Sequence, residues 1–391
     1  MPTLATKENC TGCTACFSAC PKGCIAMLAD DNGFFHPVIN EEKCVRCGLC
    51  EKSCPILNPL IPAGNEPNAY AAYSKDEPMR LDSSSGGVFT EIAKVVLRRG
   101  GVVFGAAYNE HFHVVHICVE NEECLAKLRG AKYAQSDLRG IFVQIKQKLE
   151  AGQTVLFSGT PCQVGGLKAY LKKDYENLVT VDFVCHSVPS PMAWRAYVKY
   201  RADQDNQGKL PSAINLRSKK TGWTNYQYSN EFRYADGHIH SSRSSDNMYM
   251  KLFVGNYINR ESCANCRFKG FNRVSDLTIG DFWGIWDACP EMDDNKGTSA
   301  ILVQSQRGAG ILQSIEDRLE LKPVTLEEIS HQNGAMLKSS TAHTNRNEAL
   351  ALIRAGEIQE CERWFMPAKV STMRRIQRFT IRIVRKLRRR Q

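Results

Sequence analysis

Eight of the chain's 17 cysteines, all within its first 54 residues, form two copies of one spacing. Cys10, Cys13, Cys16 and Cys20, followed by Pro21, spell C-x2-C-x2-C-x3-C-P. Cys44, Cys47, Cys50 and Cys54, followed by Pro55, repeat it 34 residues later. Thiolates are the ligands of iron–sulfur clusters, and three at such short spacings surround one face of a cubane without a long loop to order. The fourth reaches across to the other cluster, and the proline then turns the chain away. The expected sets are Cys10, Cys13, Cys16 and Cys54 on one 4Fe-4S cluster, and Cys44, Cys47, Cys50 and Cys20 on the second. Zinc sites pair C-x2-C units across a longer gap. A disulfide framework belongs to small secreted chains, not to 391 residues with no signal peptide.

This run is that of the bacterial ferredoxins, so residues 1–57 read as a ferredoxin-like two-cluster domain with a turn at Asp31-Asn32-Gly33. Residues 58–67, with three prolines and a glycine, read as a linker. Strand and helix signals then alternate: strands at 69–73, 101–108, 113–119, 154–157 and 179–183, helices at 87–99, 122–130 and 141–151. The alternation predicts an α/β domain on a parallel sheet. Beyond residue 213 the pattern is richer in β signals, with a turn at Asp236-Gly237, and helical character returns from about residue 308. The expected divisions are 68–150, 151–330, a helical extension at 331–368 and a tail at 369–391.

The net charge of +10 is local. Ten Lys and Arg and no Asp or Glu fall in residues 369–391, and the rest of the chain is balanced. Met373, Ile376, Phe379, Ile383, Val384 and Leu387 recur there at helical spacing, predicting a basic amphipathic helix suited to an anionic membrane surface. A solvated tail and nucleic-acid binding are the competing readings, the last the weakest. No apolar run is long enough to span a membrane, and reduced thiols in such number fit the cytoplasm, with the tail on the membrane's inner face.

Two loops have the form of anion sites: Ser83-Ser84-Ser85-Gly86-Gly87 before a helix, and Ser158-Gly159-Thr160-Pro161-Cys162 after a strand. Ser and Gly also cap helices for structural reasons alone. Neither loop is a Walker loop, and no G-x-G-x-x-G follows a strand. Cys162 and Cys185 sit just past strands at one end of the expected sheet, and Cys263 and Cys266 form a further C-x2-C. These four could hold a third 4Fe-4S cluster or zinc, or be buried thiols. Cys24, Cys118, Cys124, Cys289 and Cys361 have no visible partner and read as structural.

The strings SSSGGVFT (83–90), GAKYAQSD (130–137), LFSGTPCQVGGLKAYL (156–171), DFVCHSVPSP (182–191) and CANCRFKGFNRVSDLTIGDFWG (263–284) resemble the coenzyme F420 hydrogenase/dehydrogenase beta-subunit family. The resemblance covers about residues 67–330 and implies a flavoprotein with iron–sulfur clusters, hence FAD in the α/β domain. It places Ser85, Gly86 and Gly87 at the flavin, with Lys132, Tyr133, Gly159, Thr160 and Pro161 lining the same cavity. The plain alternative for Lys132 and Tyr133 is a surface lysine beside a packed aromatic. Relatives carry cysteines at the places of Cys162, Cys185 and Cys263-x2-Cys266. Bacterial members with a fused ferredoxin domain occur in polysaccharide-synthesis loci.

The expected function is a reductase that takes single electrons from a ferredoxin or similar low-potential donor and passes them through the clusters to FAD and a small-molecule substrate. The alternatives are an electron-transfer protein whose substrate site lies on a partner, and a membrane-docked accessory. His186 could donate a proton or support a cluster ligand, and His36 reads as a packing residue. Asp276 and Asp281 could position backbone or flavin; Trp223, Trp283 and Trp286 read as core.

Overall fold

The computed structural model describes residues 1–62, 64 and 66–365. The basic segment 369–391 lies outside the described residues. In the N-terminal unit, short helices Ala15–Ala19 and Leu49–Lys52 each follow a cysteine loop. An antiparallel hairpin, β1 (Ile25–Ala29) and β2 (Phe35–Ile39), separates them, with the 31–33 turn at its tip.

The remaining strands are β3 (Asn68–Ser74), β4 (Val102–Tyr108), β5 (Val114–Val119), β6 (Val155–Gly159), β7 (Leu178–Phe183), β8 (Ala213–Ser218), β9 (Ser229–Arg233), β10 (Ile239–Arg243), β11 (Leu277–Asp281), β12 (Ser299–Val303) and β13 (Leu319–Val324). Eight of them form one sheet in the order β13-β3-β12-β11-β7-β6-β4-β5. The sheet is mixed rather than parallel. Only β11, β7, β6 and β4 run parallel, and β12, β3, β13 and β5 pair antiparallel. The central strands read as unbroken apolar runs because helices cover both faces; Val155, Leu156 and Phe157 are all buried. The antiparallel flank escapes the sequence because β11 and β12 are short and part polar, LTIGD and SAILV, and nothing local states which neighbour a strand takes.

Strands β8, β9 and β10 form a separate antiparallel sheet. Beside it, helix Pro191–Asn206 contributes Trp194 and Tyr197 to an aromatic core with Phe232 and Tyr249. The stretch expected as a helix at 122–130 is a 3-10 turn, Glu123–Leu128, and β13 interrupts the helical character after residue 308. No helix among the described residues is long and apolar enough to cross a membrane.

The ferredoxin-like unit is docked firmly on the sheet domain. Gly166, in helix Pro161–Leu171, has no side chain because a Cβ there would lie 2.8 Å from the Cβ and Sγ of Cys13. A Cβ on Gly33 would lie 2.8 Å from the backbone nitrogen of Met192. Arg260, 3% exposed, donates to the carbonyls of Cys10 (2.8 Å) and Phe35 (3.0 Å) and to Gln135 Oε1 (2.8 Å).

The loop 83–87 is enclosed by the same sheet. The Gly86 amide donates to Ser299 Oγ at 2.9 Å and its carbonyl accepts from Ser74 N. A Cβ there would meet the Ala72 carbonyl and lie 2.9 Å from Ser299 N. Gly86→Ala should therefore destabilise the fold by about 1–3 kcal/mol in anaerobic urea unfolding. Gly310→Ala, in helix Gln306–Gln313 with nothing near its Cβ, should instead stabilise it by about 0.5–1 kcal/mol.

Candidate functional site

The two cysteine loops are built alike. Gly12 and Thr14 (φ 68° each) in the first, and Arg46 and Gly48 (φ 54° and 71°) in the second, stand at equivalent places between the cysteines. They curl each loop tightly, at a cost of about 1–2 kcal/mol for each of the non-glycine residues Thr14 and Arg46.

The fourth cysteine of each run stands with the other run's three. Burial pushes the Cys13 thiol up to about 12, and Cys10 and Cys54 add to the rise. Burial likewise pushes Cys16 up, with Cys13, Cys10 and Cys54 adding. Cys20, Cys44, Cys47 and Cys50 line one pocket, together with Ile25, Ile39 and Cys24. One metal ion would need its sulfurs about 4 Å apart. Among the described residues no three His, Cys, Asp or Glu groups converge so closely. Four thiols around one pocket fit a cluster, which fills the space between its ligands.

A third group gathers at the C-terminal ends of the parallel strands. Cys162 follows β6 in the first turn of helix Pro161–Leu171, at its positive end, where a thiolate is favoured. Cys185 follows β7, and Lys269 donates to its carbonyl at 2.5 Å and to that of Ala335 at 2.7 Å. Cys263 lies in the turn Glu261–Asn265, and the Cys266 amide donates to Ser339 Oγ. Burial pushes the Cys162 thiol up, and Cys266, Cys185 and Cys263 each add to it. Cys185 is pushed up to about 12, by burial first and then by Cys263, while Lys269 and Arg273 pull it down. The four thiols thus share one half-buried neighbourhood with cations beside it, a donor set suited to an anionic cluster.

The residues implied at a flavin divide between two places. Ser85 Oγ donates to the Thr298 carbonyl, and the carbonyl of Ser85 accepts from Lys219. The carbonyl of Ser84 accepts from Arg217 and Trp223. Gly87 caps helix Val88–Arg98 at φ 84°. Arg217 is buried and held two-pronged by Asp281; it also donates to Tyr133 Oη at 3.1 Å and lies over the rings of Tyr228 and Trp283. Burial pushes the Tyr133 hydroxyl up and the Lys219 amine down to about 7. Lys132 is in the second place, its Nζ on the carbonyls of Arg129 and Gly130, and burial lowers it to about 7. Nearby His116, lowered to about 4 by burial, bonds Ser136 and the Ser158 carbonyl; Gly159, Thr160 and Pro161 continue from there into the Cys162 helix. Buried cations, stacked aromatics and a helix N-terminus are groups a flavin and its phosphates use. The Gly86 amide, already committed to Ser299, is not available to one.

Other residues have plain duties. Asp276 accepts from Thr180 N and Oγ1, joining β11 to β7, and Asp281 holds Arg217. His186 bonds Asn256, and burial lowers it. His36 packs between Arg260 and Asp30. Trp223 is buried and stacks on partly buried Trp283, and exposed Tyr226 lies at 4.5 Å from Trp283. Sequence reasoning missed Arg217, Lys219, Arg260 and Lys269; the basic residues flanking the C-x2-C at 263–266 were the signal for the last two. It also left Cys24 without a partner, whereas its sulfur lies 3.2 Å from that of Cys20.

Residues 9–57 match the 4Fe-4S dicluster domain. Residues 69–141 and 152–328 match the N-terminal and C-terminal parts of the coenzyme F420 hydrogenase/dehydrogenase beta subunit. The coenzyme F420-dependent sulfite reductase of Methanocaldococcus jannaschii is 25% identical over 348 residues, 84% of this chain and 49% of that protein. A subunit of the F(420)H(2) dehydrogenase of Methanosarcina mazei is 24% identical over 185 residues, 44% of this chain and 52% of that one. The chain spans about half the length of these relatives. A solved chain of the F420-reducing [NiFe] hydrogenase complex from Methanosarcina barkeri superposes at a TM-score of 0.47 and 15% identity, over 78% of this chain and 94% of that one. The chain belongs to the coenzyme F420 hydrogenase/dehydrogenase beta-subunit family and carries a 4Fe-4S dicluster domain ahead of it.

Lys132 gives a test of the buried electrostatics. Its folded pKa of about 7 stands below the ordinary 10.5, so between those values the unfolded chain binds a proton that the folded chain lacks. The lysine's penalty on stability is therefore full below the lower value and fades toward the higher. Lys132→Met should raise the anaerobic thermal midpoint more at about pH 6 than at about pH 9.

Proposed function

We propose that this member of the coenzyme F420 hydrogenase/dehydrogenase beta-subunit family is an iron–sulfur flavoprotein reductase. It would accept electrons from a ferredoxin-type donor and deliver them to a small-molecule substrate. Two 4Fe-4S clusters on the N-terminal cysteines, a third on Cys162, Cys185, Cys263 and Cys266, and FAD would supply one-electron carriage and its conversion to two-electron chemistry.

The observation that carries this reading is that the second thiol group reaches the surface while the first lies against the elements that carry the third. Cys47 is exposed beside exposed Val45, so the second cysteine group offers a surface to a donor. Cys13 of the first group is buried against Gly166. Gly166 is four residues from Cys162 in one helix, and residues so spaced share a face. Arg260 grips the Cys10 carbonyl and, three residues on, the chain supplies Cys263, whose amide donates to the Arg260 carbonyl. Lys269 and Arg273 offset thiolate charge at the third group. For the flavin, Ser85, Gly87 and Tyr133 stand near Arg217, Lys219 and Trp283, which supply cation and stacking surface, while Lys132, Gly159, Thr160 and Pro161 make up the second place beside His116. The substrate class proposed is a sugar or nucleotide sugar, on family context alone.

A second reading, in which the chain only carries electrons and a partner holds the substrate site, is favoured by the Methanosarcina mazei relative being one subunit of a dehydrogenase.

Protein purified without oxygen should hold about 12 iron atoms and one FAD per chain, and Cys263→Ala should hold about 8 irons. Iron without flavin, even after FAD is added, would sink the reductase reading. Iron unchanged in Cys263→Ala would remove the third cluster.

A further inference from the structure

Cys24 has no counterpart in the repeated cysteine pattern. It stands four residues after Cys20, whereas the residue four after Cys54 is Asn58. Its sulfur lies 3.2 Å from Cys20 Sγ, and its own amide donates to that same sulfur at 3.4 Å. It lines the cavity together with Cys20, Cys44, Cys47 and Cys50, so five thiols surround a space that a cubane would fill with four. Cys24 is buried and packed with Ile25 and Cys50, and the Asn40 amide donates to its carbonyl, so this position is fixed by the fold.

We propose that Cys24 is a reserve ligand for the second cluster, able to replace Cys20 at its corner. This rests on the reading that the cavity holds a 4Fe-4S cluster. The exchange balances without any redox partner. The iron–sulfur bond at Cys20 breaks and one forms at Cys24, while the proton leaving the Cys24 thiol passes to the Cys20 sulfur beside it. Charge, iron count and oxidation level are unchanged. The device protects the site nearest solvent, where exposed Cys47 marks the way in for oxidants and alkylating agents.

The test compares the full-length wild type, Cys20→Ala, Cys24→Ala and the double variant, each purified anaerobically. Iron content and the electron paramagnetic resonance of the dithionite-reduced protein are measured. Each single variant should keep the wild-type iron content, and Cys20→Ala should show a shifted second-cluster signal. The double variant should lose about four irons, with the first-cluster signal intact as proof of folding. Loss of four irons in Cys20→Ala alone, with the first-cluster signal retained, would overturn the proposal. Should Cys20→Ala not fold, Cys20→Ser, which keeps the side chain's volume, is read the same way. Cys47→Ala separates the two levels: if it sheds no iron, the cavity holds no cluster and the reading beneath the proposal fails instead.

Discussion

A buried guanidinium with no carboxylate partner is an expensive thing to fold around, and the arrangement of this protein turns on one. Among the described residues Arg260 forms no ion pair with Asp or Glu. Its charge is met instead by the carbonyls of Cys10 and Phe35 and by the side chain of Gln135. An ion so placed costs several kcal/mol unless negative charge lies close by. Cys263, whose thiol burial pushes up and Arg260 partly offsets, lies on one side and the first cysteine loop on the other. Thiolates bound to iron would supply the missing charge on both sides. One side chain thus fixes the ferredoxin-like loops, the 130–137 loop and the C-x2-C turn against one another.

The helix Pro161–Leu171 does comparable work by what it lacks. Gly165 and Gly166 would ordinarily weaken a helix. Here Cβ atoms on them would strike the ring of Phe268 and the side chain of Cys13, each at 2.8 Å. The helix therefore presents Cys162 at its positive end and a bare backbone one turn later. Two cysteine groups from distant parts of the chain come against a single rigid element. Sites built on helices hold geometry better than sites built on loops.

How much of this the sequence disclosed follows from the range of each interaction. The eight N-terminal cysteines carry their grouping in their spacing. Strands β4, β6 and β7 show as apolar runs because both faces are buried. Cys162 and Cys185 could be placed at one sheet end because each immediately follows such a run. Arg217 and Lys219 were invisible, since a buried charge has no periodicity and its partners lie far away in the chain; Arg217 reaches Ser84 across 133 residues. Helix Pro191–Asn206 mixes aromatics with charges and escaped notice, although Ser190 and Pro191 form a proper start, Ser190 accepting from the Ala193 amide. The mixed character of the sheet depends on pairings that no local pattern encodes. Cys24 was overlooked because a repeat directs attention to what recurs.

The docking of the N-terminal unit bears on how such a chain could have been assembled. A ferredoxin joined by a loose tether would be an interchangeable cassette, free to be gained, lost or traded among unrelated enzymes. Here the host has shaped itself to the guest: Gly166 leaves room for Cys13, Met192 closes over Gly33, and Arg260 reaches into the cysteine loop. A foreign ferredoxin grafted onto residue 58 would inherit none of that accommodation. The fusion is a marriage of two surfaces, and its record should be sought in paired changes on both sides of the seam.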